Sequence, residues 1–176
     1  MNHPFVNLPS NSRKPLFLLF LALTLIIFAI FRVLDAPLRT PAAPNGVVSF
    51  ELAGKLQTAT GIINSWDARA QLFAAFGLGF DYLFMPCYAL ALSLGILLAA
   101  GRHAGMFAKI GAWLGWGAFA AAVFDAVENY SLWQLMMGNL QALWPNLAAI
   151  CATLKFGLLL LGLAYALIGW LWPKRK

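Results

Sequence analysis

Charge is what this sequence has least of. Asp, Glu, Lys and Arg make up 10% of its 176 residues, where a soluble domain carries roughly 25%. A hydrophobic share of 62% fills the gap. Together they exclude an ordinary water-soluble domain and point to the membrane. Cysteine is nearly absent. Cys87 and Cys151 lie in apolar segments, with no CxxC pair and no Cys/His cluster. That excludes a zinc site or a thioredoxin-like motif, and both read as small buried apolar side chains. The histidines, His3 and His103, fall outside the apolar spans, which excludes a haem held by histidine pairs within the bilayer. The length suits one small integral membrane domain, residues 1–176, and no second one. Twelve Lys and Arg against six Asp and Glu give a net charge of +6. The basic residues sit beside apolar spans rather than in a stripe with exposed aromatics, so nucleic acid is not an expected partner.

What the sequence has in abundance is apolar length. A membrane-crossing helix needs about 20 apolar residues, and four segments supply them: residues 16–34, residues within 72–100, a third from 106 to as far as 137, and residues 145–172. Pro145 suits a first helical turn and Pro173 a stop. The expected fold is all-α, a four-transmembrane-helix bundle. The first span could instead be a cleaved signal peptide, but its apolar run exceeds a typical signal core and no clean small-x-small site follows. It reads as a retained helix.

Lys and Arg in the short flanks set orientation. Arg13, Lys14, Arg102, Lys109, Lys174, Arg175 and Lys176 all fall on one side of four spans, and the 131–146 connection on the other side has no charge. This places both termini in the cytoplasm of a bacterial inner membrane, with residues 1–15 as a cytoplasmic tail and residues 35–71 outside. The outer segment opens with a Pro-rich stretch, "APLRTPAAPNG". Then Leu52, Leu56, Ala59, Ile63 and Trp66 recur as one helical stripe, with Glu51 and Lys55 as an i,i+4 pair beside it. An amphipathic helical segment between the first two spans is expected, lying on the membrane or capping the bundle. Gly61 and Asp67 suggest a break, with Asp67 capping the next helix.

Against this apolar background the polar residues stand out. On the third span Gly111, Gly115, Ala118, Ala122, Asp125 and Asn129 share one helical face, a small-residue packing stripe ending in two polar groups. Glu128 lies one turn from Asp125. On the second span Asp81 and Tyr88 share a face, and Pro86 between them removes a backbone donor. On the fourth, Lys155 lies on a face of mostly small residues. At 1.5 Å per residue, Asp81 and Lys155 are each roughly 15 Å from the outer helix ends, and Asp125 is roughly 25 Å from the inner end of its helix. Asp81, Tyr88, Asp125, Glu128, Asn129 and Lys155 are therefore the candidate ligand-binding or proton-handling residues, in the outer half of the membrane. One lysine cannot neutralise three carboxylates. Burial raises a carboxylate pKa and an ammonium lowers it, so mixed protonation states are expected.

Oxygen ligands suit a hard cation, but Lys155 in the same place argues against one, and no cofactor is expected. No phosphate loop, nucleophile elbow or H-E-x-x-H motif supports a particular reaction, so whether the protein is an enzyme stays open. The reading is an integral membrane protein whose buried carboxylate and lysine cluster binds a small amphipathic or lipid-like molecule or handles protons. The alternative is an accessory or assembly subunit of a larger membrane complex, with the cluster only structural. Partners then comprise the lipid bilayer, a small-molecule or lipid ligand, and a homo-oligomer or larger complex. Through "FELAG" at 50–54, "FDYLF" at 80–84 and "FDAVENYSL" at 124–132, the chain resembles uncharacterised bacterial inner-membrane proteins of similar length. The resemblance implies an integral membrane protein and no catalytic residue.

Overall fold

The computed structural model describes residues 2–172. Pro173 and the basic run 174–176, used above for the helix stop and the orientation, lie outside the described residues. Among the described residues six α-helices follow in order: α1 (Ser10–Leu34), α2 (Val47–Glu51), α3 (Leu56–Ser65), α4 (Ala68–Ala100), α5 (Met106–Met136) and α6 (Leu143–Leu171), with a 3-10 turn at Ala36–Leu38 after α1. No strand occurs among the described residues. Helices α1, α4, α5 and α6 are long and apolar enough to cross a membrane, so the fold is the expected all-α one. At 33, 31 and 29 residues, α4, α5 and α6 exceed the about 20 that a bilayer core requires. Their ends therefore extend past the hydrocarbon.

The chain forms two compact units. One comprises Met1–Leu25, Pro86–Val123 and Lys155–Lys176, and the other Ile26–Met85 and Phe124–Leu154. The first can be called the basic unit and the second the acidic unit, after their ionisable side chains.

In the acidic unit the segment between α1 and α4 folds on its own apolar residues. Asp35 organises its start. The Val47 amide donates to its Oδ1 at 2.8 Å and Arg39 Nε to its Oδ2 at 3.2 Å. Gly46, at φ 61°, leaves room for that carboxylate, where a Cβ would lie 2.5 Å from Asp35 Cγ. Phe50 meets Trp66 edge-on at 5.3 Å, and the Trp66 indole donates to the Leu38 carbonyl at 2.8 Å. Leu38, Phe50, Ile62, Trp66, Leu78 and Leu132 belong to one buried cluster. The continuous stripe read from the sequence is instead two helices. Gly54, at φ 64°, turns the chain between them in a left-handed conformation that ends helices. Leu52 is left exposed, Ile62 is buried more deeply than Ile63, and Glu51 turns inward. Glu51 and Lys55 therefore flank a turn rather than lying one turn apart on a helix. Asp67 caps α4 as expected, accepting from the Ala70 amide at 2.7 Å.

In the basic unit, small residues let helices approach closely, as apolar helices in lipid require. A Cβ on Gly111 would sit 2.8 Å from Ala100 Cβ and from Tyr165 Cζ, and one on Gly169 would sit 2.9 Å from Ala99 Cβ. The Tyr165 hydroxyl donates to the Phe107 carbonyl at 2.8 Å, with the two rings stacked at 4.3 Å. The segment before α1 folds back onto this unit. His3 is 2% exposed, its Nδ1 accepts from the Phe5 amide at 3.1 Å, and its ring occupies the space left by Gly115. The Trp116 indole donates to the Asn2 carbonyl at 3.0 Å. Arg13 binds the other end of the segment, donating from Nε to Leu8 and from Nη2 to Val6, both at 2.9 Å.

Candidate functional site: buried carboxylates on two membrane helices

The face of α5 read from the sequence is its packing face. Gly111, Gly115, Ala118, Asp125 and Asn129 are buried, and Ala122 is partly so. Trp113, Trp116, Val123, Val127, Tyr130 and Trp133 are exposed, which is how a helix in lipid distributes bulk and polarity. The alternation follows from the helical period alone. Residues three and four apart share a side, and the small and polar ones were placed on the same side. Asp125, Glu128 and Asn129 are at most 2% exposed, Glu128 at 0%.

Asn129 ties this group to α4. Its Nδ2 donates to Asp81 Oδ2 at 2.8 Å and to the Leu78 carbonyl at 3.3 Å. One amide thus uses both of its N–H groups on a neighbouring helix and orients the Asp81 carboxylate. Asp81 itself is only partly buried. One residue further along α4, the Tyr82 hydroxyl donates to the Ala126 carbonyl at 3.1 Å. This second α4–α5 link was not singled out from the sequence. The Ser131 hydroxyl turns back on its own helix, donating to the Val127 carbonyl at 2.7 Å.

The structure therefore joins Asp81 and Asn129 directly and places Asp125 and Glu128 in the same unit. Tyr88 and Lys155 are buried as well. Lys155 Nζ stands 4.7 Å from the Phe156 ring centroid, a cation–π distance. Arg32, at the end of α1, is exposed. Glu51 is a further carboxylate that the sequence assigned to the surface and that the fold buries to 8% exposure. The signal for it was the neighbouring Phe50 and Gly54, which set the turn. Among the described residues no three His, Cys, Asp or Glu side chains gather closely enough to hold a metal ion.

No family model matches the chain, and neither the curated proteins nor the solved structures contain a match to it. The chemistry must be read from the residues. An ionised side chain at the centre of a bilayer costs at least about 2.5–3.5 kcal/mol, so carboxyl groups on the packing faces of membrane helices must be matched by donors or carry a proton. Asn129 supplies a donor to Asp81. Such a group can hold a cationic or hydrogen-bonding ligand, or exchange protons.

Proposed function

We propose that the protein is a multi-pass protein of the bacterial inner membrane, with both termini cytoplasmic, in which Asp81, Asp125, Glu128 and Asn129 form a membrane-embedded acidic site that takes up and releases protons. The observation that carries this reading is the burial of Asp125, Glu128 and Asn129 within little more than one turn of a membrane helix, with Asn129 bonded to Asp81 on the next. Ionisable side chains on the inner faces of membrane helices recur in proton relays. Proton exchange fits the geometry better than a hard cation does, since among the described residues no three His, Cys, Asp or Glu side chains are placed to hold a metal ion.

The test is pH-difference infrared spectroscopy on the protein in lipid vesicles. A carboxylic-acid C=O band should titrate between about pH 5 and 9, and Glu128→Gln or Asp125→Asn should remove part of it while the helical content by circular dichroism is kept. A band that does not titrate in that range, or that both variants leave whole, refutes proton exchange. Native mass spectrometry covers the neighbouring readings. A bound small molecule lost in Asp125→Asn would make the group a binding site for an amphipathic or lipid-like ligand. A co-purifying protein retained in both forms would make the chain an accessory subunit.

A further inference from the structure

The ionisable residues are divided unevenly between the two units. All six carboxylates (Asp35, Glu51, Asp67, Asp81, Asp125 and Glu128) fall in the acidic unit. The basic unit has no Asp or Glu and holds eight of the 12 Lys and Arg residues.

One place in the basic unit shows an unmet donor. The turn between α4 and α5 carries Arg102 and His103. His103 is engaged: its Nε2 donates to the Gly169 carbonyl at 2.9 Å, and its ring meets Phe107 edge-on at 4.7 Å. Arg102 is engaged on one face only, with its guanidinium carbon 5.3 Å from the Trp170 ring centroid. Its Nε is shut off from solvent and has no hydrogen-bond partner among the described residues. Leaving a buried charged donor without an acceptor is costly. Stacking a guanidinium on an aromatic ring leaves its planar fork facing outward, the arrangement that receives an oxyanion on two N–H groups. Close by on the same helix ends, Met106, Ile110, Ile168 and Leu171 are exposed apolar side chains, and Lys109 is exposed among them. A phosphate for the guanidinium and acyl chains for the apolar side chains come together on one molecule.

We propose that Arg102, stacked on Trp170 at the α4–α5 turn, binds the phosphate group of an anionic phospholipid whose acyl chains cover the exposed apolar residues at the end of α6 and the start of α5. A lipid suits this place better than free phosphate does, because the donor lies at the ends of membrane-crossing helices and is bordered by apolar rather than hydrated surface. The site is independent of the acidic one and stands whether or not that group exchanges protons.

The experiment is a native mass spectrometry titration of the full chain in neutral detergent. It compares phosphatidylglycerol and phosphatidylcholine of identical acyl chains, with inorganic phosphate as competitor. Wild type should bind phosphatidylglycerol about ten-fold more tightly than phosphatidylcholine, the scale of one charge-assisted pair. Arg102→Gln should bring the two lipids to near-equal binding, and Lys55→Gln, in the acidic unit, should leave the preference intact. Equal binding of the two lipids by wild type, an undiminished preference in Arg102→Gln, or displacement of phosphatidylglycerol by equimolar inorganic phosphate would each overturn the assignment. Should Arg102→Gln not fold, Arg102→Lys keeps the charge and drops the fork. It should lose most of the preference, and full retention there overturns the proposal equally.

Discussion

Exchanging Gly115 for alanine puts one methyl group where the fold has placed an imidazole. The new Cβ would lie 2.5 Å from His3 Cδ2 and 3.0 Å from Cε1, well inside the about 3.5–4.0 Å at which carbon atoms rest against each other. The ring must retreat by roughly 1 Å, and little allows it to do so alone. Its Nδ1 is held by the Phe5 amide, and Phe5 packs on Phe119 with ring centroids 5.8 Å apart. The segment therefore moves as a piece, straining the Trp116–Asn2 bond. Overpacking of this kind costs about 1–3 kcal/mol, enough to release a short segment held by a few contacts. Hydrogen exchange read by mass spectrometry is the direct assay. The Val6 and Leu8 amides, bonded to the His3 and Phe5 carbonyls at 3.1 Å, should exchange at least about five-fold faster in Gly115→Ala, a change of about 1 kcal/mol in the opening free energy.

Acid should have the same effect on wild type. Burial is the main reason the His3 pKa falls from 6.5 to about 4. The Ser93 backbone pulls it up, and the positive charge of Arg13 pushes it further down. Above pH 6.5 the imidazole is neutral whether docked or released, and docking is at full strength. Between 6.5 and 4 the released segment takes up a proton that the docked one resists, so docking weakens as pH falls, by about 2 kcal/mol at pH 5. If Gly115→Ala exchanges like wild type, or if wild-type protection corrected for intrinsic rates is the same at pH 7 and pH 5, the account of the docked histidine is wrong.

Two further outcomes follow from single hydrogen bonds. Asp67→Ala removes the acceptor for the Ala70 amide at the start of α4 and should lower thermal stability by about 1 kcal/mol, with Asp67→Ser recovering most of it. Tyr165→Phe keeps the stack on Phe107 and loses the 2.8 Å bond to its carbonyl. A loss of about 0.5–1.5 kcal/mol in a thermal melt is expected, and an unchanged melt would mean that the ring alone holds the contact.

The long helices were legible because apolar length is a strong signal, and their packing faces because small and polar residues recur at three and four. Asp81, Asp125, Glu128 and Asn129 were found that way, and the Asn129–Asp81 bond joins two of them. The segment before α4 was read less well. Spacing of apolar residues suggested one helix, yet Gly54 at positive φ outweighs the pattern and sends Glu51 inward. Local turn chemistry overruled periodicity there. His3 was invisible for a different reason. Nothing near it in sequence is periodic, and the residues that its segment docks on, Gly115 against His3 and Trp116 against Asn2, are more than a hundred positions away. Lone contacts of that range leave no local trace. The same spacing argument picked out Tyr88 and Lys155, and both are buried.

The two units are interleaved along the chain, and this bears on how the protein is made. The buried cluster around Phe50 and Trp66 includes Ala148, and the cluster around Ile96 includes Tyr165 and Ala166. Both cores thus draw on α6, which is synthesised after α1 to α5. At a synthesis rate of about 5–20 residues per second, α1 to α5 wait in the membrane for seconds with their small-residue faces uncovered. During that interval those faces can meet other helices, including those of neighbouring nascent chains. A ribosome that stalls or terminates before α6 releases a product with neither core complete, so quality control at the membrane should meet truncated chains with both cores open.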